Sequence, residues 1–228
     1  MENVQQLLGG NAHVGFVQAD ALAPELALVA PLYDDVVHVL VRRESEIARL
    51  ADLRNRRVAL GRPGSGMRVS ALEVLRAAGL TAGDIQQSEA RFEELLLDTT
   101  LEGAIAVTRG DHPQLRELLN DGRFRLLGLG AEEIEELALG PFHPRTLKAD
   151  SYPAAALPSG PLQTVSTTAF LSCSRDAPDA LVHALLDAFY APGGVAEREG
   201  LLPIAAAERN RMLPWHPAAR RRLLPGGP

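Results

Sequence analysis

The chain has 228 residues, a hydrophobic content of 46%, a charged content of 23% and a formal net charge of −6. That length can bury a substantial core, either as one large domain or as two smaller lobes. The acidic balance argues against a nucleic-acid partner, because no excess of Lys and Arg is available to neutralise phosphates. The single cysteine, Cys173, excludes an internal disulfide and a cysteine-based metal site, and we expect it to be a small buried residue.

The first part of the chain predicts a helix followed by two strands. Val4, Leu7 and Leu8 lie at helical spacing, and a pair of glycines ends that helix. A short strand is predicted at 13–17. The run at 35–41 is almost wholly apolar, which is typical of a buried strand.

The middle of the chain alternates between strands and helices. After a helical turn at 50–53, a strand at 57–61 runs into a glycine-rich turn, and a helix follows at 67–78. The alternation then continues with helices at 92–100, 113–119 and 132–139 and strands at 104–107 and 124–129. This order is typical of an α/β fold with a mainly parallel sheet.

The last third of the chain predicts a loop, a long strand and a helix. Residues 140–161 are rich in Pro, Ser and Gly and are predicted to form a loop. The stretch 162–173 is β-prone, and 178–190 begins with a proline and an acidic residue, as helices often do. A further helical piece is predicted at 193–199, before a weakly patterned tail.

Two extended β-prone segments, 35–42 and 162–174, bracket the central α/β block. Such an insertion predicts a two-lobed protein in which these strands are the crossovers. We expect lobe one to combine 1–42 with 165–228 and lobe two to span 43–164, with hinges near the two junctions. Ligand sites prefer the cleft between such lobes.

The clearest local signal is the glycine-rich turn Gly64-Ser65-Gly66-Met67, which lies between a predicted strand and a predicted helix. Glycines let the backbone approach a ligand closely, and a helix start offers free N–H groups that suit a carboxylate or a phosphate. The turn lacks the Gly-Lys-Ser/Thr ending of a P-loop. Anion binding and simple turn and capping chemistry both remain open for this segment.

Gln18 and Asp20 follow the strand predicted at 13–17. Polar residues at the carboxyl end of such a strand fall where open α/β sheets place ligands. The alternative is that Asp20 caps a helix that begins near Ala21.

The signals for catalysis and for metal binding are poor. No HExxH motif occurs, the histidines are dispersed, and His112, His143 and His216 each precede a proline. An enzyme on a two-lobed scaffold of this kind, such as a pyrimidine-precursor synthase, would need a His and Cys constellation, and the scattered histidines argue against that. We therefore expect no enzyme activity, no cofactor and no metal. No run of about 18 uncharged apolar residues and no secretory signal is visible in the sequence.

Several segments of the chain match the pattern of one family in order and spacing. NAHVGFVQAD at 11–20 matches an early strand of that pattern, and LYDDVVHVLVR at 32–42 matches its next strand. Residues 47–61 and 63–66 match a segment that ends in Gly-Ser-Gly, and further matches lie at 79–80, 104–113, 152–153, 163–165 and 216–219. Together these segments resemble the TAXI-type solute receptors of TRAP transporters, within the type II periplasmic binding proteins.

The resemblance implies a Venus-flytrap receptor that binds an amino acid or a dicarboxylate such as glutamate in the periplasm and delivers it to TRAP membrane subunits. It implies that Ser65 and the N–H groups of Gly66 and Met67 hold a carboxylate, and that Asp20 suits an ammonium group. A ligand-sensing domain with a signalling partner is the alternative. The candidate ligand-binding residues are Gln18, Asp20, Tyr33, Gly64, Ser65, Gly66, Met67, Thr108 and Thr164.

The sequence departs from the family pattern at three places. Met67 replaces the usual Thr after Gly-Ser-Gly, Gly103 replaces a usual Asp, and Arg54-Asn55 replaces a Lys-Gly pair. The chain also opens inside the family's first lobe, without its first strand and helix. We expect such a start to leave strand edges unpaired. Either the native gene encodes the missing strand upstream, in which case a longer chain would be more stable than this one, or self-association covers the edge.

Overall fold

The computed structural model describes residues 2–90, 92–110, 112–153, 156–157 and 160–224 of the chain. The helices, in chain order, are α1 (Glu2–Leu8), α2 (Gly66–Ala77), α3 (Phe92–Leu95), α4 (Pro113–Asn120), α5 (Ala131–Ala138), α6 (Asp179–Tyr190), α7 (Val195–Arg198) and α8 (Pro217–Leu223). The strands are β1 (Val14–Gln18), β2 (Leu26–Arg42), β3 (Arg57–Ala59), β4 (Gln86–Ser88), β5 (Gly103–Thr108), β6 (Phe124–Leu127), β7 (Phe142–Leu147) and β8 (Leu162–Ser174). Short 3-10 turns lie at Ala19–Ala21, Leu50–Leu53, Ala82–Asp84, Ala149–Ser151 and Ile204–Asn210.

The chain divides into two compact units. The first unit runs to Asp34 and resumes at Thr168, and the second unit is Asp35–Thr167. Both boundaries fall inside the long strands β2 and β8. The predicted lobe bounds and the predicted hinges near residues 42 and 164 stay predictions.

The first unit is built around the antiparallel pair of β1 and the carboxyl-terminal part of β8, in which Val17 lies opposite Phe170. The rings of Phe170 and Trp215 meet edge to face at 5.5 Å in its core. Val182 and Leu186 on α6 are fully buried in the same cluster. Aliphatic side chains thus supply most of this core, as the low aromatic content of the sequence requires.

The second unit contains the parallel part of the sheet. β3 pairs in parallel with both β4 and β5, while β5 and β6 are antiparallel to β2 and β7 is antiparallel to β8. Val37, Val39 and Val41 of β2 are buried on one face, in a different cluster from Val36 and Leu40 on the other. Burial on both faces explains the continuous apolar run in the sequence.

The prediction of a mainly parallel sheet is wrong. The long strands β2 and β8 run antiparallel to the neighbours for which residue partners are defined, and only the pairs around β3 are parallel. The alternation of strands and helices suggested parallel strands, but helices on both faces of a unit bury antiparallel strands equally well.

Three predicted elements differ from the structure in length or kind. β2 begins at Leu26, well before the predicted start at 35, and it contains Pro31, a residue that is uncommon inside strands. β7 lies in the predicted loop 140–161, of which 154–155 and 158–159 are outside the described residues. α3 ends at Leu95, whereas a helix was predicted to 100.

Most of the other predicted elements are confirmed to within a few residues, including the helix after the glycine-rich turn and the helix before Ala191. The tail predicted as weakly patterned contains α8. Within the described part of the chain, the helices are all too short or too polar to cross a membrane.

Candidate functional site

A cavity of about 330 Å³ lies in the second unit, at the carboxyl ends of the parallel strands β3 and β4 and beside the first half of β5. Ala59 of β3 lies opposite Ser88 of β4 and opposite Ala104 of β5. The chain leaves β3 and β4 at this edge and enters the loops that line the cavity. Open α/β sheets place ligands outside the carboxyl ends of such strands, and the volume falls in the range of small-molecule sites.

The cavity has an apolar floor and a polar rim. The floor consists of small and aliphatic side chains, namely Ala59, Met67, Ala90, Leu95, Ala104 and Ala106. Ile105 also borders the cavity, but its side chain packs in the core cluster on the other face of β5. The remaining lining comes from loops and from a helix start, namely Gly61, Arg62, Ser65, Glu89 and Gln114. The cavity therefore suits a ligand with an apolar body and a few polar groups at one side.

The glycine-rich turn forms the wall next to β3. Gly61 and Gly64 have φ angles of 81° and 78°, a left-handed conformation that side chains rarely adopt. A Cβ atom at Gly61 would lie 2.9 Å from the terminal methyl of Met67. The two glycines thus let the chain reverse sharply between β3 and α2 and bring Met67 against the turn.

Ser65 is the N-cap residue of α2. Its hydroxyl oxygen accepts a hydrogen bond from the backbone N–H of Arg68 at 3.2 Å, and the hydroxyl donates to the carbonyl of Arg62 at 2.8 Å. Capping chemistry, one of the two alternatives for this turn, is therefore present. The first N–H groups of α2, on Gly66 and Met67, lie where intrahelical bonds are not available to them.

Two arginines near the turn have different surroundings. Arg68 donates to the carbonyl of Gly61 at 3.1 Å and also to the side-chain oxygen of Gln87, so its guanidinium is tied to the scaffold. Arg62 is exposed and lines the cavity. Among the described residues, none forms a hydrogen bond or ion pair with the Arg62 guanidinium.

The structure brings four of the predicted site residues together in the turn, and Ser65 and Met67 line the cavity. Thr108 is the last residue of β5. Thr164 is buried, and its hydroxyl donates to the carbonyl of Val37 at 2.8 Å, so it links β8 to β2. The ligand-binding role of each of these residues stays a prediction.

The other predicted site residues belong to the first unit. Gln18 ends β1, and Tyr33 lies in β2, half-buried against the core of this unit. Asp20 lies inside the 3-10 turn Ala19–Ala21, for which Gln18 is the N-cap. The alternative that Asp20 caps a helix is therefore wrong, because it is one position inside the turn.

Sequence reasoning missed Arg62, Glu89 and Gln114. Arg62 stands next to the glycine-rich turn, and Glu89 directly follows β4, so position at a strand's carboxyl end was an available signal. β4 itself was not predicted, because three residues with two exposed glutamines carry little hydrophobic pattern.

Close packing accounts for the glycine at position 103, which is one of the departures from the family pattern. A Cβ atom there would lie 3.1 Å from the carbonyl oxygen of Leu40 and 3.3 Å from the side chain of Leu53. The position is buried at the start of β5 and is not part of the cavity lining. The departure therefore does not alter the cavity.

Cys173 is fully buried, as predicted, and burial raises the pKa of its thiol to about 11. A thiol with a raised pKa is a poor nucleophile. Within the described residues, no group of three or more His, Cys, Asp and Glu side chains is arranged to hold a metal ion.

Two solved structures share this fold. A protein from Bordetella bronchiseptica RB50 matches with a TM-score of 0.54 at 16% identity, over 82% of this chain and 55% of the other. The periplasmic aliphatic sulphonate binding protein SsuA from Escherichia coli matches with a TM-score of 0.51 at 20% identity, over 100% of this chain and 70% of the other. The chain thus spans little more than half the length of the Bordetella protein.

These similarities show a mixed α/β fold that matches type II periplasmic binding proteins, which confirms the predicted fold class. They do not distinguish TAXI-type receptors from other proteins of that fold. The model of the NMT1-like family matches residues 1–223, and the chain therefore belongs to the NMT1-like family.

Proposed function

We propose that this chain is an extracytoplasmic solute-binding receptor for a small organic anion or an amino acid. The observation that carries the proposal is the cavity at the carboxyl ends of β3 and β4, beside the first half of β5, with the glycine-rich turn as one wall. The fold of a periplasmic binding protein supports it.

The anionic end of the ligand binds, in this proposal, at the start of α2. The N–H groups of Gly66 and Met67 and the positive end of the helix dipole favour a carboxylate or a sulfonate. The Arg62 guanidinium adds a full positive charge at the same wall. The Ser65 hydroxyl can join only by giving up its bond to the carbonyl of Arg62.

Calorimetry with a panel of amino acids, dicarboxylates and alkyl sulfonates tests the binding function directly. We expect Arg62→Gln to weaken the tightest ligand by about ten-fold or more, because a charge-assisted hydrogen bond is lost. Arg116→Gln is the matched control, since Arg116 is exposed on α4 and does not line the cavity. Equal affinities in both variants, or no binding by any panel member, would contradict the proposal.

We further propose that the ligand is bound and released unchanged, without an enzymatic step. Recovery of the ligand after long incubation, analysed by NMR, tests this point, and any new product would refute it. The lining residues that the structure describes include no histidine and no cysteine, and Cys173 is buried in the first unit, which supports this point.

We also propose that the chain acts in the periplasm and delivers its ligand to the membrane subunits of a TRAP-type transporter. It depends on the resemblance of the strand and Gly-Ser-Gly segments to TAXI-type receptors. Genes for TRAP membrane subunits beside the gene for this chain would support it. Kinase or regulator genes in that place would favour a sensing domain instead.

A further inference from the structure

The cavity rim carries two charged side chains of opposite sign. Arg62 follows β3 and Glu89 follows β4, and these strands are adjacent and parallel, with Ala59 opposite Ser88. Both side chains are exposed, and in the described part of the chain neither has a side-chain hydrogen bond or an ion pair. A simple anion at this rim would be attracted by Arg62 and repelled by Glu89.

The floor of the cavity offers no polar side chain. Ala59, Ala104 and Ala106 present only methyl groups, and Leu95 is also apolar. A second carboxylate of a dicarboxylic ligand placed there would lose its water without gaining a partner, which is costly for a charged group. Arg62 is the one cation among the lining residues that the structure describes.

We infer that the ligand of this cavity is a zwitterion with an aliphatic side chain, an α-amino acid of the valine or leucine class. Arg62 holds the carboxylate, Glu89 holds the ammonium group, and the alanine floor receives the side chain. The inference rests on the proposed function and narrows its ligand class. It replaces the glutamate-like ligand that the resemblance implies.

The test compares ligands that differ by one group. Calorimetry is done with leucine, with 4-methylpentanoate, which lacks the ammonium group, with isoamylamine, which lacks the carboxylate, and with glutamate. We expect leucine to bind tightest, and we expect each of the other three to bind at least about ten-fold more weakly. This comparison uses the unaltered protein, so it does not depend on the folding of any variant.

A charge-neutral substitution then assigns the ammonium contact. Glu89→Gln should weaken leucine by about ten-fold and leave 4-methylpentanoate unchanged or tighter, because the repulsion of its carboxylate is removed. Glu135→Gln, an exposed site on α5 outside the cavity lining, should change neither affinity.

The outcomes separate this inference from the proposed function. Tighter binding of glutamate or another dicarboxylate, still weakened by Arg62→Gln, would overturn the inference and leave the binding function intact. An unchanged preference for leucine over 4-methylpentanoate in Glu89→Gln would also overturn it. If no ligand of either panel binds, both are overturned.

Discussion

The Nε2 atom of His38 lies 2.7 Å from the hydroxyl oxygen of Tyr152, and the two rings meet edge to face at 5.6 Å. His38 is fully buried in the second unit. Burial penalises the charged imidazolium and lowers the pKa of His38 to about 4. The ring is therefore neutral at pH 7, directly opposite Ala106, a residue of the cavity floor.

Because His38 is buried in its neutral form, we expect the free energy of unfolding to decrease at acidic pH. In the unfolded chain the His38 pKa is near 6.5, so between that pH and about 4 the unfolded state binds more protons. Stability should therefore fall as pH decreases through this range, by an amount on the order of 3 kcal/mol from this residue. Urea unfolding at pH 7, 6 and 5 measures the slope.

The matched variant for this prediction is His38→Gln, which cannot be protonated. We expect it to be less stable at pH 7 but to lose less stability on going to pH 5. Measurements above pH 5 exclude contributions from the titration of the Asp52, Asp84 and Asp98 carboxyl groups, because hydrogen bonds hold their pKa values low. Parallel slopes for the variant and the unaltered protein would contradict the assignment.

Alanine substitutions at Gly61 and Gly64 should lower the free energy of unfolding by different amounts. Gly64→Ala meets no atom within 4 Å, so its cost is the left-handed backbone alone, about 1–2 kcal/mol. Gly61→Ala has the same backbone cost and also pushes on the terminal methyl of Met67, which adds about 1 kcal/mol.

A double-mutant cycle with Met67→Ala isolates the contact between residues 61 and 67. The additional cost of Gly61→Ala should disappear in the Met67→Ala background, because the methyl is gone. Thermal melts of the single and double variants provide the measurement. The same cost in both backgrounds would mean that the Met67 methyl moves aside freely.

The sequence allowed the local elements to be predicted better than their pairing. The glycine-rich turn and the bounds of α2 follow from local rules, since positive φ angles need glycine and Ser65 is a good N-cap. β7 was missed because its sequence, with Pro144 in the middle, is polar and becomes a strand only through pairing with β8.

The candidate site was predicted only in part, because the residues that meet there are brought together by strand pairing. Thr164 looked suitable for a ligand, but the register of β8 points its hydroxyl at the carbonyl of Val37. Arg62 and Glu89 are exposed charges with no pattern of their own. Only the parallel register of β3 with β4 brings them to one cavity, and a register between distant segments cannot be obtained from local sequence.

The ion pair of Asp34 and Arg209 in the first unit predicts a measurable contribution to stability. Both terminal nitrogens of Arg209 lie 3.1 Å from Asp34 oxygens, and the Thr168 hydroxyl donates to the same carboxylate at 2.9 Å. The Asp34 side chain is only 11% exposed. Arg209→Gln should therefore lower the free energy of unfolding by about 1–2 kcal/mol.

The control for Arg209 is the pair of Arg222 and Asp187, at 2.5 Å but with the Asp187 side chain 68% exposed. Water screens such a pair, so Arg222→Gln should cost less than about 0.5 kcal/mol. Urea unfolding of the two variants makes the comparison. An equal cost would show that burial of Asp34 does not decide the strength of its pair.

Ser65 allows helix capping to be separated from ligand contact, because two substitutions remove the same hydroxyl. Ser65→Ala loses the acceptor for the Arg68 N–H and should lower stability by about 1 kcal/mol, whereas Ser65→Gly should lower it by only a few tenths, since glycine is tolerated at an N-cap. Any contribution of the hydroxyl to ligand binding is lost equally in both. We expect both to weaken the ligand by the same factor, about two- to ten-fold. Melts and calorimetry on the same samples decide the point: affinities that follow the stability difference would mean that Ser65 acts on the ligand only through the cap of α2.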